Sequence, residues 1–248
     1  NGDTHFKELN LSKNVQEVVK KGNLIAYKEP QHSDVYIICV PTPLHYSKNE
    51  YTPNIDYVID VARHISKLLK KDDIVIIEST CPVGTSEKVK QTFIEQGVDT
   101  SEIYIGYCPE RVLPGNILKE LIENDRIVGG LTIKDSKIIS EFYKTFVKGN
   151  IYQTNSKTAE MCKLVENSSR DVQIAFANEL SLICDKAGID VWKLIELANK
   201  HPRVNILQPG CGVGGHCIAV DPYFIVSDYP METKIIGTAR EVNNYKSI

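Results

Sequence analysis

Apolar residues run unbroken in short stretches through the first half of the chain and fall at helical spacing through the second. Residues 35–40 (VYIICV) end at Pro41-Thr42-Pro43, and residues 73–78 (DIVIIE) end at Ser79-Thr80-Cys81-Pro82. Residues 104–107 form a third such run; residues 126–128 form a weaker fourth, closed by Gly129-Gly130. Runs apolar at successive positions suit strands covered on both faces, as in a parallel sheet. Between them, apolar positions 55, 58, 59, 61, 62, 65, 68 and 69 follow a helical period, and residues 85–96 form a shorter helix. Alternating strands and helices predict an α/β fold, in which ligands sit beyond the carboxyl ends of the strands.

From about residue 157 the pattern changes. Residues 159–186 contain neither Pro nor Gly and stop at Gly188, a helix C-terminal signal. This long helix carries Val172, Ile174, Phe176, Leu180 and Ile183 on more than one side. A helix apolar nearly all round is buried, and a partner subunit can supply the cover, so a homodimer through residues 159–186 is expected. A helix over residues 191–200, a glycine-rich loop and a last helix from Thr233 complete an all-α second half. The division expected is 1–155 and 156–248.

Composition narrows the classes. The chain has 248 residues, a formal net charge of -3, 42% hydrophobic and 25% charged residues, as in ordinary soluble domains. The balance gives no electrostatic reason for a nucleic-acid or membrane partner, and no apolar run is long enough to span a bilayer. Seven irregularly spaced cysteines do not form a disulfide framework. Reduced thiols and a cytoplasmic setting are expected, with Cys39 and Cys184 as buried apolar residues.

Three groups carry candidate chemistry. In residues 205–224 (NILQPGCGVGGHCIAVDPYF), Gly210, Gly212 and Gly215 match G-x-G-x-x-G formally. No strand precedes them, so the dinucleotide reading is rejected. The loop is either plain flexible chain or backbone left bare for a bulky polar ligand, with Cys217 and Asp221 facing it. Cys211, His216 and Cys217 lack the second ligand pair of a zinc site, so no metal is expected. On the long helix, Lys163 and Asn167 stand one turn apart and Asp171 continues their face. They form either a solvated stripe or donors for a developing oxyanion. Thr42, Thr80 and Glu110 follow the strands; Ser79 and Thr80 also suit a helix cap.

The stretches ICVPTP (38–43), ESTCPVGT (78–85), CPERVLPGNI (108–117), AEMCKLVEN (159–167), ANKHPRVN (198–205), GVGGHCIAVDPYF (212–224) and AREVN (239–243) occur in series. Together they resemble the UDP-glucose/GDP-mannose dehydrogenase family, closest to the branch that oxidises UDP-N-acetylhexosamines. The resemblance implies an incomplete Rossmann-like domain followed by a helical central domain. It also implies an NAD-dependent four-electron oxidation of a sugar C6 alcohol to a carboxylate, with UDP-N-acetylmannosamine the first candidate. By this resemblance Cys217 holds the sugar as thiohemiacetal and thioester, Lys163 and Asn167 stabilise oxyanions, and Asp221 assists proton transfer. Thr80 and Glu110 would position a water. Val40, Pro41, Thr42, Thr80 and Glu110 would meet NAD. Glu110, Arg111, Val112, Leu113, Lys163, Asn167, His201, Arg203, Gly212, Gly214 and Gly215 would meet the UDP-sugar.

The family's opening glycine-rich fingerprint and its C-terminal nucleotide-binding domain are missing from this sequence. A protein of only these residues is therefore expected to be inactive. Cys211 stands where the branch usually has proline, and Ser169 where it often has tyrosine. Two other readings predict different behaviour. A two-electron β-hydroxyacid dehydrogenase would not need Cys217, and a non-catalytic dimerisation module would not protect it with a UDP-sugar.

Overall fold

The computed structural model describes residues 3–6, 8–47 and 50–246. Their elements, in chain order, are α1 (Leu11–Lys20), β1 (Val35–Ile38), β2 (Leu44–Ser47), β3 (Glu50–Pro53) and α2 (Asp56–Ser66). Next come β4 (Ile74–Ile77), α3 (Thr85–Glu95), β5 (Tyr104–Tyr107), α4 (Ile117–Glu123), β6 (Arg126–Gly130) and α5 (Ile133–Lys144). The remainder are β7 (Ile151–Asn155), α6 (Ser156–Ala187), α7 (Val191–Ala198), α8 (Asp221–Asp228) and α9 (Lys234–Lys246). They divide into two compact units, the first of residues 1–42, 55–79 and 83–160, the second of residues 43–54, 80–82 and 161–248.

In the first unit the four apolar runs become strands of one sheet, ordered β1-β4-β5-β6-β7 among the described residues. β1, β4 and β5 run parallel, with Ile38 opposite Ile77 and Ile77 opposite Tyr107. The fourth run departs from expectation: β6 lies antiparallel to β5, and β7 then runs parallel to β6. Gly129 and Gly130 do not close β6 but belong to it. A Cβ on Gly129 would stand 2.5 Å from the Asn155 carbonyl oxygen and 2.6 Å from Ala159 Cβ, so only glycine fits that approach. Ile76, Cys108, Val128, Ile139, Tyr143 and Val147 form a core cluster in which β4, β6 and α5 meet. Cys184 is buried as expected, but Cys39 is exposed, because it continues the alternation of β1 on the side of Ile37, itself 42% exposed.

The second unit contains most of α6, then α7, α8 and α9, and it also holds the antiparallel hairpin β2–β3. That hairpin corrects the all-α expectation. It packs on α8, where the Tyr51 and Tyr223 rings lie 4.3 Å apart. Among the described residues no helix is long and apolar enough to cross a membrane.

Candidate active site

Residues four apart on α6 share a face, and in the second unit that face meets the start of α8. Asn167 Nδ2 donates to Asp221 Oδ2 at 2.5 Å. Asp221 opens α8 and is buried, its side chain cut off from water. Burial pushes its carboxyl up to about 6, against the opposing pull of the Asn167 hydrogen bond and the Lys163 charge. A carboxyl poised there can take and return a proton near neutral pH. Cys217 is one turn ahead: its carbonyl accepts from the Asp221 N–H at 2.8 Å, and the residue is exposed. Asp221, Asn167 and Lys163 thus meet where α6 faces the start of α8, and Cys217 precedes them by one turn of backbone. Asp171 does not extend it. It is fully buried and paired with Arg240 at 2.7 Å.

The loop leading to Cys217 is held at its base. Asn199 clamps Ile206 from both sides, accepting from its N–H at 2.8 Å and donating to its carbonyl at 3.0 Å. Gly212 and Gly215 have φ of 105° and 87°, which favours glycine. Gly214 has no positive φ, and a Cβ there would meet nothing within 4 Å. The chain's own packing does not require glycine at 214. His201 and Arg203 are exposed at the start of this loop, with the Arg203 N–H donating to His201 Nδ1 at 3.3 Å.

In the first unit, the carboxyl edge of β1, β4 and β5 carries a second polar group. Arg126, buried at the start of β6, donates to Glu110 Oε2 at 2.8 Å, and Glu110 Oε1 accepts the Arg111 N–H at 2.7 Å. Tyr143 OH donates to Glu78 Oε1, while Cys39 Sγ donates to Glu78 Oε2 at 3.4 Å. Although Cys39 is exposed as a residue, partial desolvation of its thiol, and then the Glu78 and Glu110 charges, push it up to about 12, so it is a poor nucleophile. Sequence reasoning missed Arg126, whose only signal was a charge opening an apolar run. Ser79 and Thr80 do not cap α3: its N-cap is Gly84, and Ser79 Oγ instead accepts the Val40 N–H at 2.8 Å. Val40 and Thr42 are half-buried after β1 and Pro41 is exposed; Val112 is half-buried and Leu113 exposed after β5. Gly115 and Ile117, further along, donate their N–H groups to the Glu8 carboxylate at 2.8 and 3.2 Å.

Among the described residues no cluster of three or more His, Cys, Asp or Glu is placed to hold a metal ion, and all seven cysteines are free thiols. Residues 1–147 match the profile described as the NAD binding domain of the UDP-glucose/GDP-mannose dehydrogenase family, and residues 157–245 match its central domain. The chain belongs to this family. Among relatives in the family, it is 53% identical over 254 residues to the UDP-N-acetyl-D-mannosamine dehydrogenase of Campylobacter jejuni, a match covering 99% of this chain and 62% of that protein. It is 50% identical to the NDP-N-acetyl-D-galactosaminuronic acid dehydrogenase of Ralstonia nicotianae, covering 99% of this chain and 59% of the relative. The structure of UDP-D-ManNAc dehydrogenase from Pyrococcus horikoshii superposes with a TM-score of 0.91 at 41% identity, over 99% of this chain and 59% of that one. The chain therefore spans about three-fifths of these family members.

Proposed function

We propose that this chain provides the sugar-oxidising core of an NAD-dependent nucleotide-sugar 6-dehydrogenase, with UDP-N-acetylmannosamine as substrate. The observation that carries this is the Asp221 carboxyl, held near neutrality one turn after the exposed Cys217 and bonded to Asn167. The residues present fit part of NAD: residues 40–42 leave the carboxyl edge of parallel strands, the edge that receives dinucleotides in open α/β sheets. The glycine turn for the pyrophosphate is not matched, since residues 210–215 follow Pro209 rather than a strand. Bound NAD⁺ supplies the hydride acceptor for both oxidations.

Within the chain, Asp221 accepts the proton of the C6 hydroxyl. The Cys217 thiolate adds to the aldehyde carbon, a C–S bond forming as the carbonyl π pair moves to oxygen, and Lys163 and Asn167 donate to that oxygen. The thioester left by the second oxidation is hydrolysed: water adds, the C–S bond breaks, and the pair returns to sulfur. Thr80 is assigned to holding that water. Glu110 keeps the role that the resemblance gives it, fixed in place by Arg126. Gly212, Gly214, Gly215, His201 and Arg203 are assigned to the sugar nucleotide, as are Arg111, Val112 and Leu113; the unexplained glycine at 214 fits close approach of a ligand to the backbone. Free thiols suit a reducing compartment.

The test is alkylation of individual cysteines, read by peptide mass. UDP-N-acetylmannosamine is expected to slow labelling of Cys217 at least fivefold while leaving the already sluggish Cys39 unchanged. Equal labelling of Cys217 with and without the sugar would defeat the reading. In a protein that carries these residues together with the family's glycine-rich fingerprint and C-terminal nucleotide-binding domain, Cys217→Ser should abolish carboxylate formation; retained full turnover would favour a two-electron dehydrogenase.

A further inference from the structure

Asp171, Asn178 and Asn243 are each 1% exposed or less, and Arg240 is 3% exposed. Buried side chains this polar in a helix pair weaken a core unless every group is matched. Here they connect. Arg240 Nη1 donates to Asp171 Oδ1 at 2.7 Å, and Asn243 Nδ2 donates to the same oxygen at 2.8 Å and to the Asp171 carbonyl at 3.1 Å. Asn243 Oδ1 accepts from Asn178 Nδ2 at 2.8 Å, and Asn178 Oδ1 accepts the Gly210 N–H at 2.8 Å.

The two ends of this chain of bonds differ in kind. At one end both Asp171 oxygens that meet Asn243 are acceptors, because one is a carbonyl and the other already receives an arginine, which can only donate. Asn243 must therefore turn its NH₂ toward Asp171 and its oxygen toward Asn178. Asn178 must then turn its NH₂ toward Asn243, which leaves its oxygen for Gly210. At the other end a peptide N–H can only donate, and an oxygen is what it meets. Each amide passes the same polarity on, so the two in series join the Asp171 acceptor to the Gly210 donor without a mismatch.

We propose that Asp171, Arg240, Asn243 and Asn178 form a polarity relay that fixes the root of the loop carrying Cys217, with Asn178 and Asn243 as positioning residues. Gly210 is the point at which α6 grips the loop, between the Asn199 clamp at Ile206 and the Cys217–Asp221 hydrogen bond. The consequence for chemistry rests on the sugar-oxidation reading above. A loop with a loose root would present Gly212, Gly214 and Cys217 over a range of positions, which raises KM for the sugar and lowers the rate of thiol addition together.

The experiment is amide hydrogen exchange at Gly210, followed by NMR in the full chain and in two variants. Wild-type Gly210 is expected to be protected. Asn178→Ser, whose hydroxyl is too short to reach Gly210 and has no fixed polarity, should speed that exchange at least tenfold while leaving the β4 amides unchanged. Asn243 bonds to Asn178 and Asp171 rather than to the loop, yet Asn243→Leu should do the same by freeing the Asn178 amide to turn over. Loosening in Asn178→Ser alone would overturn the relay, and so would no loosening in either. If either variant does not fold, the wild type still decides: exchange of its Gly210 amide at the rate of an unstructured peptide rejects the grip itself. Sugar protection of wild-type Cys217 is read in parallel. Its absence alongside a loosened Gly210 would sink the functional reading and leave the relay standing.

Discussion

Asp221 shows how a single buried side chain exchanges stability for chemistry. Its carboxyl rises from the ordinary 3.8 to about 6, chiefly through burial. The folded chain therefore binds this proton more tightly than the unfolded chain does. The contribution favours folding at low pH and is lost as pH climbs through about 6. A change of this size corresponds to about 3 kcal/mol. Asp221→Asn keeps an oxygen for Asn167 but has no proton to lose. Urea unfolding should show the variant gaining about that much on the wild type between about pH 4 and about pH 7. A gap that does not change with pH would mean the carboxyl is solvated in the folded chain. At this scale the contact of Asn167 and Lys163 with Asp221 was legible from helical spacing and from the family's motifs. Asp171 was misplaced because helical phase gives direction only, and a polar residue turned toward a buried arginine reads the same as one facing a ligand.

Among the elements, α3 begins in an unusual way. Its N-cap is Gly84, with no side chain to satisfy the first amides, and that task falls to Glu160 on α6. The Glu160 carboxylate, fully buried, accepts from the Gly84 N–H at 2.6 Å, the Ser86 N–H at 2.8 Å and Ser86 Oγ at 2.7 Å. Burial raises its pKa, while these hydrogen bonds and the positive end of the helix favour the charge. Glu160→Gln replaces one acceptor with an NH₂ that faces a donor. Thermal unfolding should report a loss of about 1–3 kcal/mol; an unchanged melting temperature would show that the amides find other partners. Such a cap was invisible in sequence because it joins positions far apart in the chain. By contrast, α5 carries a local signal, although it was not used to predict the helix. Thr132 and Asp135 form a reciprocal capping box, the S/T-x-x-D/E pattern that precedes a helix. β7 left no signal, since only two of its five residues, Ile151 and Thr154, are even half-buried.

For the molecule as a whole, the proposed homodimer makes α6 the surface to test. Val165, Phe176 and Ile183 are 43%, 53% and 53% exposed. At 3.6 residues per turn the three side chains fall within about 20° of one another, one apolar stripe along the helix. Phe176→Asp is expected to halve the mass seen by light scattering; a wild type already monomeric at tens of micromolar would overturn the dimer expected from the sequence. The α/β pattern of the first unit was legible because its central strands β4, β5 and β6 are buried on both faces. The hairpin was not, since its residues are mostly exposed and its partner α8 is remote in sequence. That hairpin has a further implication for how the protein is made. The polypeptide passes from one unit to the other after Thr42, and returns only at Ile55. Tyr51 therefore emerges from the ribosome long before Tyr223, the ring that stacks on it, has been synthesised. Until α8 emerges, two short strands wait with their backbone edges unshielded. Neither unit can be excised by a single cut, and grafting the second onto another scaffold would require carrying this early segment along as a separate insert.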